Sequence, residues 1–318
     1  MRLGKPLLQL PIRFDADRLA AEVNALPPAV WLPHPTGFVG NEAVPLVSPG
    51  GLPNDDFDGP MAPTDSLRQC PYIMDLMVEL GCVWGRSRLM ALAAGADVPI
   101  HIDVHYHWRT HRRLHIPVVT NPGVLFTVNN ETVHMEAGDC WLFDSFSLHK
   151  VQNKGSERRI HLVLDTVGGQ KLWDLVDAAS DADHRDVRIW NDGAGAVGRP
   201  PLAFEQFNRP KIMSPWEMKQ HIDYVLDHAP PEARVGGLAK RLDRFLTGWH
   251  AAWAQFGTSD EGLATYQALI QQMRVELTSL NAQQIKLENE QGLGFVLDAL
   301  VLWNAIAPPA IQQRLQPQ

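Results

Sequence analysis

The chain has 318 residues, a formal net charge of -8 and 45% hydrophobic residues, which is enough for one large domain or two modest ones with a full core. No long basic run occurs, so no nucleic-acid partner is expected. No apolar run approaches the ~20 residues of a membrane span, and the opening residues are charged too soon for a signal peptide, so no membrane association is expected. The three cysteines lack CxxC spacing and fit a reducing, cytoplasmic location rather than a disulfide framework.

The first third of the chain predicts two helices separated by a long loop. Residues 14–26 form a short amphipathic pattern, with Asp15 as the predicted N-terminal cap. Residues 32–65 are rich in Pro, Gly, Asn and Asp, which predicts a long loop. Residues 66–81 have a broad apolar face and end at Gly81, as expected for a second helix.

From residue 83 to residue 165 the hydrophobic period shifts towards two, which predicts strands. Turn dipeptides such as Pro122-Gly123 and Asn129-Asn130 separate several of them. Eight strands with short turns are typical of a barrel or a jelly roll. The predicted strands are 86–93, 98–107, 112–119, 123–128, 131–136, 139–143, 147–152 and 158–165.

After residue 169 the pattern becomes helical again. Residues 170–179 predict one helix, and Gly and Pro residues between 181 and 201 predict a loop. Ser214-Pro215-Trp216-Glu217 is a strong helix start, because Ser caps, Pro suits the first turn and Glu follows three residues on. We therefore predict a domain at 1–180 consisting of a β barrel with N-terminal helices, a linker at 181–204, and an α-helical region at 205–318.

Two histidines and one carboxylate stand out within the predicted strands. His101 and Asp103 are two residues apart, a spacing that places both side chains on one face of a strand, and His149 can join them from another strand. Two histidines and a carboxylate are the ligand set of a non-haem Fe(II) oxygenase. His105 and His107 share the same strand parity, so Asp103 with these two histidines is a rival ligand set.

Two pairs of adjacent arginines occur near these residues in the sequence. Arg159 lies ten residues beyond His149 in a strand-like run, where it could bind a carboxylate bidentately. Arg158 is its competitor, because adjacent strand residues point to opposite faces. Arg113 has the same kind of competitor in Arg112.

The segments around these residues resemble the aspartyl/asparaginyl β-hydroxylase family. The resemblance is dense from about Arg86 to Asp165 and weak after Gly169. Bacterial proline hydroxylases, of the same superfamily, are similar also at the opening Leu3-Gly4-Lys5. The similar stretches are Ser87–Gly95, Pro99–Asp103, Arg113–Val118, Glu136–Asp144, His149–Asn153 and Arg159–Asp165.

The resemblance implies a mainly β fold, a double-stranded β-helix of the jelly-roll or cupin type, flanked by helices. It also implies a 2-oxoglutarate-dependent dioxygenase that uses Fe(II), 2-oxoglutarate and O₂, releases succinate and CO₂, and hydroxylates an unactivated C–H. The substrate would be an amino acid or a peptide, with an Asp/Asn-like or proline-like residue. Carried over by position, the iron ligands are His101, Asp103 and His149, and the 2-oxoglutarate residues are Arg159, Arg113 and His115.

Two alternatives compete with this interpretation. A cupin-like barrel could bind a metal or small ligand without oxygenase chemistry, through His105 and His107. The helical C-terminal region could instead recruit a partner, with the barrel as a scaffold. Arg86 and Arg88 could hold a substrate carboxylate or simply form ion pairs with acidic neighbours. The sequence gives no indication of the oligomeric state.

Overall fold

A computed structural model describes residues 5–35, 37–181, 187–190 and 200–314. For residues 313 and 314 it describes only the backbone. The described chain falls into two compact units. We call residues 1–102 and 110–208 the sheet unit, and residues 103–109 and 209–318 the helical unit. The residues of the predicted linker at 182–186 and 191–199, and the opening Leu3-Gly4, lie outside the described residues.

The strands of the sheet unit form two sheets. The larger has the order β13-β1-β10-β7-β12-β5-β3-β2, with β14 paired to β5 and β4 to β3, and the smaller has the order β6-β11-β8-β9. The strands are β1 (Leu7–Phe14), β2 (Leu32–Pro33), β3 (Asn41–Pro49), β4 (Met61–Pro63), β5 (Val83–Leu92), β6 (Asp97–His101), β7 (Arg112–Val119), β8 (Val124–Val128), β9 (Glu131–Val133), β10 (Asp139–Phe143), β11 (His149–Asn153), β12 (Arg159–Gly168), β13 (Arg188–Trp190) and β14 (Ala203–Phe204).

The larger sheet has one apolar face and one polar face, because successive side chains on a strand alternate. On β12, Ile160, Leu162 and Leu164 point into the main hydrophobic core. Helices α1 (Ala16–Ala25), α3 (Pro71–Leu80) and α5 (Gln170–Ser180) contribute buried residues to the same core. Arg159 and His161 alternate with those apolar residues and therefore lie on the opposite face.

The polar face of the larger sheet looks towards the smaller sheet. A second hydrophobic cluster joins the two sheets. Leu92 and Phe143 of the larger sheet pack there with Phe126 and Val151 of the smaller one. The polar face is therefore covered rather than open to solvent, and its charged side chains are buried.

The N-terminal helices agree with their sequence signals. The Asp15 carboxylate accepts hydrogen bonds from the backbone N–H of Asp17 and Arg18, at 3.0 and 3.1 Å, and so caps α1 as predicted. The helix predicted at 66–81 is two helices, α2 (Asp65–Arg68) and α3, because Pro71 cannot donate a backbone hydrogen bond across the junction.

Two sequence predictions about strands are wrong. The predicted loop at 32–65 contains β3, a nine-residue strand whose Pro45 sits beside a shift in register with β5. Proline is tolerated at such an irregularity because no ladder hydrogen bond is lost there. The strand predicted at 98–107 ends at His101, and α4 (Tyr106–Thr110) follows.

The helical unit confirms the helical character predicted for the C-terminal region. Ser214 caps the first helix, where its Oγ accepts the Glu217 backbone N–H at 3.2 Å. Trp249 is fully buried and donates its indole N–H to the Met213 carbonyl at 2.9 Å. The helices of residues 209–314 are α6 (Pro215–Leu226), α7 (Ala233–Phe256), α8 (Leu263–Ser279), α9 (Leu293–Leu297), a π-helical turn (Asp298–Leu302) and α10 (Pro309–Arg314).

The predicted combination of β sheets with flanking helices and a helical C-terminal region is confirmed. The sheets form two layers, and no closed barrel is found among the described strands. In the described part of the chain, every helix is too short or too polar to cross a membrane.

Candidate metal centre

The three predicted metal ligands lie together. His101 ends β6 and is the direct cross-strand partner of His149, which begins β11. Their imidazole centroids are 4.2 Å apart. Asp103 follows the end of β6 by two residues, and one ligand atom from each of the three side chains lies within 4.8 Å of the others. The spacing of two residues therefore brings His101 and Asp103 together although Asp103 is outside the strand.

Both histidines use the same ring nitrogen for a backbone hydrogen bond. The Nδ1 of His101 lies 2.8 Å from the Pro99 carbonyl oxygen, and the Nδ1 of His149 lies 2.9 Å from the Ser147 carbonyl oxygen. A carbonyl only accepts, so each Nδ1 carries the proton and donates it. Each Nε2 then keeps its lone pair, which is the form of imidazole that binds a metal. The donor set therefore fits a divalent metal such as Fe(II).

The rival ligand set is not assembled. Within the described residues, His101, Asp103 and His149 are the one grouping of three or more His, Cys, Asp or Glu side chains with metal-binding geometry. The Nδ1 of His105 lies 3.2 Å from the backbone N of His107 and accepts its N–H. That contact belongs to the turn that starts α4, where strand parity no longer applies.

Arg159 is buried with most of its donors unused. Its side chain is on the inner face of β12, and its residue is 4% exposed. Its Nε and Nη2 have no hydrogen-bond partner among the described residues. Burial lowers the pKa of the guanidinium to about 9, since a low-dielectric environment disfavours the charge. A buried cation with unused donors fits an anionic ligand, because each unpaired polar group is costly.

Arg158 points the other way, as strand alternation predicts. It forms an ion pair with Glu42 at 2.6 Å, and its guanidinium lies 4.0 Å from the centroid of the Trp31 ring. Both partners of that pair are more than a third exposed. It therefore makes ordinary surface contacts.

His115 and His161 stand beside Arg159. Their Nδ1 atoms are 3.4 Å apart, and neither Nε2 has a hydrogen-bond partner among the described residues. Burial, and then the charge of Arg159, lower the pKa of both histidines well below 6.5. Both imidazoles are therefore neutral at pH 7. The predicted co-substrate residues Arg159 and His115 thus lie in one buried region, and His161 joins them.

Apolar rings line the space between this region and His149. Phe126 stacks on His149 with a centroid distance of 6.4 Å, and Phe143 contacts the same imidazole edge-on at 5.0 Å. His115 contacts both phenylalanines, at 5.3 and 5.2 Å. A continuous series of aromatic contacts therefore connects His149 to His115.

A second charged cluster occupies the same face of the larger sheet. The Asp55 carboxylate forms ion pairs with Arg86 at 3.0 Å and with Arg88 at 2.6 Å. Asp165 accepts from Arg113 through both carboxylate oxygens, at 2.9 and 3.3 Å, and lies 3.8 Å from Arg86. We call these five residues the arginine cluster. It combines three guanidinium groups with two carboxylates, and Arg113 is therefore an ion-pair partner here, while its predicted contact with 2-oxoglutarate stays a prediction.

Sequence reasoning did not single out two members of these groups, Asp55 and Asp165. Asp165 shares strand parity with Arg159, as His161 does, so its inward orientation was readable once Arg159 was placed. Asp55 lies in a stretch without secondary structure, and nothing in the sequence points to its contacts with Arg86 and Arg88.

Residues 55–168 match the sequence profile of the family described as Aspartyl/Asparaginyl beta-hydroxylase. This range contains all three candidate metal ligands, Arg159 and the whole arginine cluster. A curated relative, the L-proline cis-4-hydroxylase of Rhizobium meliloti (strain 1021), is 26% identical over 162 residues. That alignment covers 48% of this chain and 58% of the relative, so the chain spans little more than half of the relative's length.

Two solved structures are also similar. One is a 2OG-Fe(II) oxygenase family oxidoreductase from Burkholderia pseudomallei, with a TM-score of 0.37, 13% identity, and coverage of 49% of this chain and 80% of that one. The other is a Pseudomonas putida prolyl-4-hydroxylase, with a TM-score of 0.36, 14% identity, and coverage of 51% and 93%. The resemblance to the aspartyl/asparaginyl β-hydroxylase family is thus confirmed by the family profile, over residues 55–168.

Proposed function

We propose that the chain is an Fe(II)- and 2-oxoglutarate-dependent dioxygenase with a double-stranded β-helix core. It hydroxylates an unactivated C–H of an amino-acid or peptidyl substrate, Asp/Asn-like or proline-like. The observation that carries the proposal is the presence of two features within the residues that match the family profile. The first is the ligand set His101, Asp103 and His149, and the second is the buried Arg159 with unused donors.

The metal and its co-substrates supply the oxidation. When they are bound, 2-oxoglutarate and O₂ are converted to succinate and CO₂, and one oxygen atom enters the substrate C–H as hydroxyl. His101, Asp103 and His149 would hold the metal and leave it accessible to these reactants. The chain's own contribution is to bind, to orient and to exclude water.

The co-substrate would be held at both ends. The metal would bind the 2-oxo acid group of 2-oxoglutarate. Arg159 would bind the distal carboxylate through Nε and Nη2, whose N–H groups are arranged to donate to both oxygens of a carboxylate. His115 supports this assignment because its unpartnered Nε2 lies in the same region. Arg113, which forms an ion pair with Asp165, is proposed as a further co-substrate ligand.

The aromatic residues between His149 and His115 exclude water from the proposed site. Phe126, Phe143 and Met135 belong to a cluster that is at most 7% exposed. Exclusion of water strengthens every electrostatic contact made by Arg159 and His115 in this region. Side reactions of the oxidant with solvent are limited for the same reason.

The arginine cluster is our candidate for the substrate's carboxylate. It places three guanidinium groups beside two carboxylates, Asp55 and Asp165. His34 lies 3.2 Å from Arg88 but adds no charge at pH 7, because burial and then Arg88 lower its pKa to about 4. An amino-acid carboxylate suits such a group, because arginine recognises carboxylates bidentately. A free amino acid such as proline is therefore the first substrate to test, in line with the activity of the proline hydroxylase relative.

The proposed compartment is the cytoplasm, with no nucleic-acid partner. All three cysteines are free and buried, which fits a reducing environment.

Turnover of 2-oxoglutarate with a substrate panel tests the proposal. The panel contains free L-proline, L-aspartate and L-asparagine, and peptides containing each of them, with succinate and a gain of one oxygen in the substrate as readouts. Asp103→Ala should abolish substrate-dependent succinate formation. His250→Ala is the matched control, because His250 is an exposed histidine of α7. Full activity of Asp103→Ala would contradict the metal assignment.

A further inference from the structure

We propose that His161 is a positioning residue for 2-oxoglutarate: it donates its Nδ1–H to Nδ1 of His115 and so fixes the proton of His115 on Nε2, which faces the co-substrate. This inference rests on the proposed function and extends it by one residue. The two imidazoles sit on adjacent strands, His115 on β7 and His161 on β12.

The geometry of the pair limits its protonation. The two Nδ1 atoms are 3.4 Å apart, so one of them must donate and the other must accept. A neutral imidazole carries one proton. The ring that accepts at Nδ1 therefore has its proton on Nε2, and the ring that donates at Nδ1 has a bare Nε2. The pair as a whole offers one Nε2–H and one Nε2 lone pair.

Both rings are held in the neutral state that this reasoning needs. His115 is 6% exposed and His161 is 1% exposed. Burial is the first cause of the lowered pKa in both, and the cation of Arg159 is the second. A second positive charge beside Arg159 would be costly in the same dry region.

The position of His115 decides which ring carries the Nε2 proton. His115 contacts Phe126 and Phe143, and both of these rings also contact the metal ligand His149. The pKa of His115 is also lowered by His149, an influence not found on His161. His115 therefore lies on the path from the metal to Arg159, where an anion would meet it first.

An anion on that path needs a donor. If the Nε2 of His115 were bare, its lone pair would face a carboxylate oxygen, and the contact would be repulsive. With the proton on Nε2, His115 adds a donor to those of Arg159. The Nδ1–H of His161 is the contact that selects this tautomer, because it occupies the Nδ1 lone pair of His115.

Two variants of His161 distinguish the loss of its hydrogen-bond donor from a change in side-chain packing. In His161→Asn the amide nitrogen stands near the place of the imidazole Nδ1 and can still donate to His115. In His161→Leu the volume is kept but the donor is lost. We expect His161→Asn to bind 2-oxoglutarate nearly as the wild type does, and His161→Leu to bind it about tenfold more weakly, which is about 1.4 kcal/mol.

The test combines binding with a direct readout of the tautomer. Anaerobic titrations of the Fe(II)-loaded proteins use 2-oxoglutarate and, as a control, 2-oxobutyrate, which has the oxo acid group but no distal carboxylate. Imidazole ¹⁵N NMR of the metal-free proteins reports which nitrogen of His115 is protonated. The expected results are an Nε2–H His115 in wild type and His161→Asn, a changed tautomer in His161→Leu, and unchanged 2-oxobutyrate binding in all three.

Several outcomes would overturn the inference. An Nδ1–H His115 in the wild type would reverse the direction of the hydrogen bond. Equal weakening of both oxo acids in His161→Leu would show a general structural effect, and unchanged 2-oxoglutarate binding would show that the contact is irrelevant. If the Fe(II)-loaded wild type binds neither acid, the proposed function fails and the inference fails with it, an outcome distinct from a failure confined to His161.

Discussion

Replacing Arg159 by Met should make the ligand-free protein more stable while removing its affinity for 2-oxoglutarate. The guanidinium is buried, and its Nε and Nη2 have no partner among the described residues. A pKa lowered from 12.5 to about 9 corresponds to roughly 5 kcal/mol against the charged form. Relaxation and water entry recover part of this in a real protein. We therefore expect Arg159→Met to gain about 2 kcal/mol, seen as a rise of a few degrees in the Tm of the metal-free protein.

The same substitution removes the proposed anchor for the distal carboxylate. Two hydrogen bonds from a charged donor are worth about 4 kcal/mol together, so the Kd for 2-oxoglutarate should rise about a thousandfold. Differential scanning fluorimetry and anaerobic calorimetry measure the two effects. Arg158→Met is the control, since its exposed pair with Glu42 should contribute less than about 1 kcal/mol. An Arg159→Met protein that is less stable than the wild type, or binds 2-oxoglutarate normally, would refute the reasoning.

Three further predictions follow from buried groups. His149→Ala should weaken Fe(II) or Mn(II) binding by at least about a hundredfold, measured by metal titration, and wild-type affinity in the variant would exclude His149 as a ligand. The free energy of unfolding should fall as the pH drops below 6.5, because His115 and His161 stay neutral when folded but take up protons when unfolded, and His161→Leu should flatten this dependence in urea titrations. Burial raises the pKa of the Cys70 and Cys82 thiols to about 12 and also that of Cys140, so all three should resist iodoacetamide at pH 8 until the protein unfolds; rapid alkylation of the folded protein would contradict this.

Secondary structure was predicted most accurately from the sequence where the hydrophobic period alone determines it. The strand at 139–143 has the predicted bounds, and that at 112–119 does as well. Alternation allows only one of Arg158 and Arg159 to point inward, and the spacing of ten residues from His149 selected Arg159. The burial of the two side chains agrees with that choice. The proximity of His101 and Asp103 was likewise readable, because they are two residues apart along the chain.

Other features depended on contacts that no local pattern reveals. Strand β3 was predicted as loop because its sequence contains Pro45 and Pro49, and its pairing with β5 outweighs their weak strand preference. The alternating histidines predicted a strand at 98–107, but the strand ends at His101. His107 belongs to the helix α4, so the alternation does not reflect a strand there. The ion pairs of Asp55 with Arg86 and Arg88 join residues about thirty positions apart and needed the folded chain to be found.

The most direct test of the central claim is an anaerobic titration of the purified protein with Fe(II) and 2-oxoglutarate, following the weak visible charge-transfer band of the chelate. The proposal predicts a band in the wild type and in His250→Ala, and none in His101→Ala. Metal binding by the wild type without any band on addition of 2-oxoglutarate would contradict it and leave a metal-binding protein without this chemistry.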